Sequence, residues 1–225
     1  MDIELVQINT KFKRNSRTLT LVGVIALTIG IGLLLSSTAM FAPGMLCFSL
    51  GVISLVLGVS KILEPEISLE LNQEGLKYHH RRGSIFIEWD NVQRIDIPRG
   101  LNGFDSIPLP YIGLKLKRIN PVLDIIPGRL AIGLLTEQRP LLMSAVTLDE
   151  DLIELEAYMN SEFTPLVVND ERYRGVLAMF GHRCEMLSKN MGFHIYIPVD
   201  CLDRPADEFV KLLREYRLKV RQSQE

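Results

Sequence analysis

Two patterns of apolar and polar positions divide the chain. From Thr18 to Ser60 there is no Asp, Glu, Lys or Arg, and the only hydroxylated side chains are Ser and Thr. As one straight helix those 43 residues would run about 65 Å at ~1.5 Å per residue. A hydrocarbon core is ~30 Å thick and takes ~20 residues per crossing, so the run is twice too long for one span and right for two. Pro43-Gly44 sits where a break is needed, since proline removes a backbone donor and glycine tolerates unusual dihedrals. The pattern predicts spans over residues 19–42 and 45–63, with Lys61 reaching back to the interface. A cleaved signal peptide is the competing reading. The apolar run is too long for it, no small-x-small site follows, and a second span comes straight after. A buried hairpin in a soluble protein would need a large body wrapped around it.

After Pro65 the pattern turns to alternation. Ile67, Leu69 and Leu71 alternate with Ser68 and Glu70, a turn follows at Asn72 to Gly75, and Leu76 and Tyr78 alternate with Lys77 and His79. Arg82-Gly83 makes the next turn. Ile85, Ile87 and Trp89 mark a third strand, Asp90-Asn91 breaks it, and Val92 to Ile97 is a fourth. This is a meander of short antiparallel strands. Further strands are expected at Ile112–Leu116, Leu130–Leu134 and Leu141–Ser144. A helix should follow, with capping-box spacing at Thr147 and Glu150 and with Leu148, Leu152, Leu155 and Met159 on one face. Asn169 or Asp170 is expected to cap a helix carrying Tyr173, Val176, Leu177, Phe180, Cys184 and Leu187, which Gly192 ends. Phe193, Ile195, Ile197 and Val199 alternate as a strand. Phe209, Leu212, Leu213, Tyr216 and Val220 then form the inner face of a last helix.

The expected architecture is a membrane α-helical hairpin plus an α+β soluble domain. Residues 1–17 precede the hairpin at 18–63, a β domain covers 64–161, and a helix-strand-helix extension covers 162–225. Two registers stay open. Either the strand near Leu141 closes the β domain, which is the favoured reading, or the strand at Phe193 to Val199 does.

The run Ile67 to Ile97, with Glu74-Gly75-Leu76 in its first turn and Ile87-Glu88-Trp89-Asp90-Asn91-Val92 opening the fourth strand, resembles bacterial pleckstrin-homology-like domains. The whole layout is similar to an uncharacterised bacterial family of two-span membrane proteins with such a domain. The resemblance implies a small antiparallel barrel capped by a helix, over residues 64–161. Phosphoinositide-binding relatives use a basic first hairpin loop. Here that loop is Asn72-Gln73-Glu74-Gly75, so inositol-phosphate recognition does not carry over.

Charge sharpens the topology. Lys11, Lys13, Arg14 and Arg17 precede the first span and the hairpin tip is uncharged. The positive-inside rule then puts the N-terminus, and after two crossings residues 64–225, in the cytoplasm of a bacterial inner membrane. A net charge of -2 offers no bulk attraction for nucleic acid. Three cysteines make no disulfide framework.

The candidate sites follow. Gly44, Cys47, Gly51, Ser54 and Gly58 form a stripe of small residues for helix packing, answered by Gly23, Ala26 and Gly30, with homo-oligomerisation as the weaker use. His79, His80, Arg81 and Arg82 form a basic hairpin tip suited to anionic lipid. Two apolar loops, 101–110 and 121–127, suit a protein partner, a membrane, or the end of the domain itself. His182, Cys184, His194 and Cys201 lack metal-ligand spacing. No catalytic, cofactor or metal site is expected. The functional expectation is a membrane-tethered, non-enzymatic binding or scaffold protein. The alternatives are a lipid-binding module and, with least support, an enzyme with a dispersed site.

Overall fold

In a computed structural model of the protein, the described residues are 5–9, 16–36, 38–62, 67–102, 105–141 and 164–224. They fall into two units. One holds the apolar helices, and the other joins the N-terminal strand to the chain from Ile67 onward.

The apolar unit is a pair of helices, α1 (Ser16–Ser36) and α2 (Phe41–Ile62). Both are long and apolar enough to cross a membrane. Only 11% and 17% of their apolar windows are buried, whereas the core helix of a soluble protein is mostly buried. The reversal falls at a 3-10 turn over Thr38–Met40, ahead of the predicted break. Pro43 and Gly44 lie inside the first turn of α2. Proline is tolerated there because first-turn amides have no carbonyl partner within the helix. In α1 and α2, the hydroxyls of Thr28, Ser49 and Ser60 donate to carbonyls four residues back, which satisfies them without water.

The small-residue stripe joins these two helices. A Cβ on Gly51 would sit 2.7 Å from the Leu27 amide nitrogen, and one on Gly44 3.0 Å from that of Leu34. In the other direction, Gly23 faces the Leu55 nitrogen at 2.7 Å and Gly30 the Phe48 nitrogen at 2.6 Å. Ser54 Oγ crosses the interface and donates to the Leu19 carbonyl at 2.9 Å. Leu21, Ile25, Leu46, Leu50, Ile53 and Leu57 point outward.

The second unit is built on two antiparallel sheets. The first has the order β1-β2-β3-β4, from β1 (Val6–Asn9), β2 (Ile67–Leu71), β3 (Gly75–His80) and β4 (Gly83–Glu88). The meander β2 to β4 follows the predicted alternation. Strand β1 was not predicted. It pairs with β2 so that Val6 lies opposite Leu71 and Asn9 opposite Ile67. The second sheet contains β5 (Val92–Asp96), β8 (Tyr111–Leu116) and β11 (Ile195–Pro198), with β8 central. Thus the strand that joins β8 is the one near Ile195, not one near Leu141. Leu141 itself is helical and buried. The rest of that expected strand, and the expected helix over residues 147–159, lie outside the described residues.

Other expectations change where short apolar runs are ambiguous between periods. Residues 130–134 belong to a helix, α4 (Gly128–Glu137). Leu130, Ala131 and Leu134 are buried while Ile132 is exposed, which is helical spacing. The apolar stretch 121–127 forms α3 (Asn120–Ile125), with Val122, Leu123 and Ile126 in the core. The stretch 101–110 contains a ribbon of β6 (Arg99–Asn102) and β7 (Asp105–Pro108). Asn169 and Asp170 are not a helix cap. Both take positive φ, 49° and 66°, and turn β9 (Leu166–Val168) into β10 (Glu171–Tyr173) as a two-residue hairpin loop does. The next helix, α5 (Val176–Met191), starts after Gly175, which leaves Tyr173, expected on this helix, on β10; it ends at left-handed Gly192, as expected.

The last helix is α6 (Ala206–Gln224). Its Phe209, Leu213, Tyr216 and Val220 enter one core with Leu71, Leu76 and Ile87 of the first sheet and Ile95, Ile112 and Ile197 of the second. Tyr216 donates to the Leu71 carbonyl at 3.1 Å and its ring meets Trp89 at 5.8 Å. Ser68, buried on β2, bonds the carbonyls of Ile8 and Cys201. On the other face of the second sheet, Tyr196 and Phe193 pack with Leu187 and Met191 of α5. Gly113 leaves room there for the Phe193 ring, whose Cδ2 would lie 2.7 Å from a Cβ.

Candidate functional site

The predicted basic tip is present on the β3–β4 hairpin, but acids meet it. His79 Nε2 lies 3.1 Å from the Glu70 carboxylate. His80 Nε2 and Arg81 reach Glu137 of α4 at 3.2 and 3.5 Å. Arg82 lies against Gly133, where a Cβ would be 2.8 Å from its Cδ. Burial lowers the His80 pKa, with Glu137 opposing. His79, His80 and Arg81 are therefore held beside acids of β2 and α4, while Arg82 packs on Gly133 of α4.

The scattered His and Cys residues are held apart by different partners. His182 contacts Thr164, at 3.2 Å from its carbonyl. Cys184 is fully buried in the core, and burial pushes its thiol pKa up. Cys201 meets the Tyr78 hydroxyl at 3.8 Å. His194 Nδ1 accepts the Leu116 amide at 3.0 Å. Burial, then the Lys115 charge, lowers the His194 pKa to about 4.

That last shift has a pH consequence. A histidine whose folded pKa is depressed below the usual ~6.5 stabilises the fold in its neutral form. The contribution is complete above about pH 6.5 and is lost as pH falls through about 4. For this half-buried ring we expect on the order of 1–2 kcal/mol after solvent screening. Denaturant midpoints at neutral pH and near pH 4 should fall further for the native chain than for His194→Gln. Equal pH slopes would remove His194 as the cause.

A dense polar network ties α3 to the β9–β10 hairpin. Asn120 donates to the Val168 carbonyl at 2.9 Å and to Glu171 at 2.7 Å, and accepts from Asn169 at 2.6 Å. The Tyr173 hydroxyl lies 2.6 Å from Glu171 and 2.8 Å from Asp124. Hydrogen bonds from Tyr173 and Asn120 hold the Glu171 carboxyl below the usual range. Every donor here ends on α3 or on a strand of the β9–β10 hairpin, so the network fixes the hairpin against the helix.

The feature that the sequence reading missed is a groove of about 330 Å³ between β5 and α6. Four arginines line it: Arg94 from β5 and Arg214, Arg217 and Arg221 from α6. Spacings of three and four put the α6 arginines beside its buried stripe. Arg214 donates through two nitrogens to the Ile95 carbonyl, at 3.0 and 2.7 Å, and pairs with Asp96 at 3.1 Å. Arg217 donates to the Val92 and Gln93 carbonyls. These bonds blunt the exposed edge of β5, an edge that would otherwise invite strand pairing. The helical periodicity of the three α6 arginines was readable in the sequence. Arg94 joining them was not.

These features define a class: a chain with two helices long and apolar enough to cross a membrane, followed by a mixed α/β domain with antiparallel sheets. Residues 69–219 match the family described as "Protein of unknown function (DUF2982)", and the chain belongs to that family. No curated protein and no solved structure matches it.

Proposed function

We propose that this chain is a two-span membrane protein whose hairpin holds a non-enzymatic binding domain at the cytoplasmic face of a bacterial inner membrane. The observation that carries the reading is the β1–β2 ladder. Strand β1 precedes α1 and β2 follows α2, yet the two are hydrogen-bonded neighbours. If the helices cross a bilayer, they must do so an even number of times, because both strands belong to one sheet. The cluster Lys11, Lys13, Arg14 and Arg17 then favours the cytoplasmic side. The hairpin is in effect an insertion between the first two strands of the domain.

The domain itself we read as pleckstrin-homology-like. Supporting this are four strands in one antiparallel sheet, three in a second, and a terminal helix packed into their shared core. The segment from α3 to α5 enters as an insertion before the last strand. Ser68, Asn91, Asn120 and Trp89 Nε1 all bond backbone carbonyls, which fixes the strands and turns around that core.

A phosphatase reporter that is active only outside the cytoplasm tests the topology. Fused at Glu225 it should be silent, and inserted at the turn near Thr38 it should be active. Activity at Glu225 would sink the orientation, and activity at neither position would sink the double crossing.

A further inference from the structure

We propose that the β3–β4 turn and the first half of α4 form the surface by which this domain lies on the anionic leaflet of the membrane that anchors it. Arg82 and Arg129 are its headgroup contacts and Ile132 its apolar contact. This deepens the binding role proposed above and rests on the membrane reading.

Strand registers place the turn. Asn9 lies opposite Ile67, Leu69 opposite Tyr78, and His80 opposite Gly83. One end of the first sheet therefore holds the Arg81-Arg82 turn together with the ends of β1 and β2 from which the chain leaves for α1 and α2. The opposite end holds the turn between Leu71 and Leu76, and Tyr216 of α6, which bonds the Leu71 carbonyl. Residues 63–66 join α2 to β2. Such a connection reaches at most about 18 Å, whatever the placement of the two units. With α2 in the membrane, that keeps the Arg81-Arg82 end of the sheet near the leaflet surface.

Helix α4 adds to the turn. A Cβ on Gly83 would stand 2.9 Å from Cγ of Pro127, the residue before α4. Arg129, Gly133 and Glu137, four apart, share one stripe of the helix. Gly133 meets Arg82, and Glu137 meets His80 and Arg81, so Arg129 stands one turn along the stripe that faces the turn. Arg81, Arg82 and Arg129 are all exposed. The acids nearby are committed: Glu70 to His79, Glu137 to His80 and Arg81, and Asp124 of α3 to the Tyr173 hydroxyl. Arg82 and Arg129 have no carboxylate partner among the described residues. Ile132, three residues on from Arg129, is 49% exposed. Exposed guanidinium groups beside an exposed isoleucine suit the boundary between headgroup phosphates and acyl chains. Anionic lipid attracts such cations without requiring them to converge on one atom.

The test uses the full chain in nanodiscs of phosphatidylcholine alone and in nanodiscs that also contain phosphatidylglycerol. Phenylglyoxal labelling of each arginine is read by peptide mass spectrometry. We expect Arg82 and Arg129 to react several-fold more slowly in the phosphatidylglycerol discs, with the difference closing in high salt as the charges are screened. Arg221, exposed on α6 beyond Tyr216, should react alike in both. In Arg129→Gln most of the protection of Arg82 should go, since one basic group at an anionic surface is worth about fivefold in partitioning. Equal rates at Arg82 and Arg129 in the two discs would overturn the surface and leave the hairpin standing. So would slowing at Arg221 as large as theirs, or protection of Arg82 that Arg129→Gln keeps in full. A chain that enters neither disc overturns the hairpin and this surface with it, an outcome distinct from the other three.

Discussion

A version of the chain that begins at residue 64 is expected not to fold, whereas residues 1–10 joined by a short Gly/Ser loop to residues 66–225 should give a soluble, cooperatively melting domain. Removing β1 takes away Ile8, which is fully buried, and strips the ladder partners from Leu69 and Leu71. Truncating one buried isoleucine costs about 2–5 kcal/mol, and each lost ladder bond about 1 kcal/mol more. A domain of this size is stable by only about 5–15 kcal/mol in all. The edge left at β2 would also carry apolar side chains and unpaired amides, the combination that promotes aggregation. Rejoining is feasible because Asn9 lies opposite Ile67 in an antiparallel pair, so a loop of about two to five residues closes the gap. Thermal unfolding followed by Trp89 emission decides the matter. If the version from residue 64 melts with the same midpoint as the rejoined one, β1 is an ornament and the topological argument built on it falls.

Strand β1 also shows where sequence reading stops. Four residues with apolar Val6 and Ile8 alternating with Gln7 and Asn9 carry too little pattern to be a strand by themselves, and their partner lies more than fifty positions away. By contrast, the hairpin and the meander from Ile67 to Asp96 were legible because each declares itself locally. One does so through uncharged length, the other through alternation punctuated by Asn72, Gly75 and Gly83. The errors came from short apolar runs. Leu130 to Leu134 satisfies a strand pattern as readily as a helical one, and only packing of Leu130 and Leu134 against the core selects the helix. The Asn169-Asp170 pair is a competent cap and a competent hairpin turn, and the β9–β10 ladder decided between them.

Site residues followed the same rule. The basic cluster at His79 to Arg82 was visible because it is contiguous, yet its meaning depended on Glu70 and Glu137, brought from β2 and α4. The groove was invisible for the opposite reason. Its arginines are spread from β5 to α6 and their charge disappears into a total of -2. Net charge describes the whole surface, and a local excess of arginine within it is settled only by which strand the last helix packs against.

Gly51→Leu is expected to break the hairpin, and Gly32→Leu to leave it intact. Both exchange glycine for the same apolar side chain within an apolar helix pair, so hydropathy and helix propensity change alike. They differ in what the new side chain meets. At Gly32 nothing lies within 4 Å, whereas at Gly51 even a Cβ would stand 2.7 Å from the Leu27 nitrogen and 2.9 Å from the Leu27 Cγ. Relieving that overlap means parting the helices by about 1 Å or more, since favourable contacts begin near ~3.5 Å. The close approaches of Gly23 to Leu55 and Gly30 to Phe48 then open, and the Ser54–Leu19 bond at 2.9 Å stretches. Lipid tails are as apolar as leucine, so no hydrophobic force pulls the helices back together. Overpacking of this kind costs about 1–3 kcal/mol or more, which in a cell lowers abundance several-fold. Pulse-chase decay of the membrane-bound chain should therefore be faster for Gly51→Leu and unchanged for Gly32→Leu. Equal decay of the two would mean that the stripe does not hold α1 to α2. In that case its small residues would be free to pack against a second copy, a use that the contacts with α1 otherwise leave no room for.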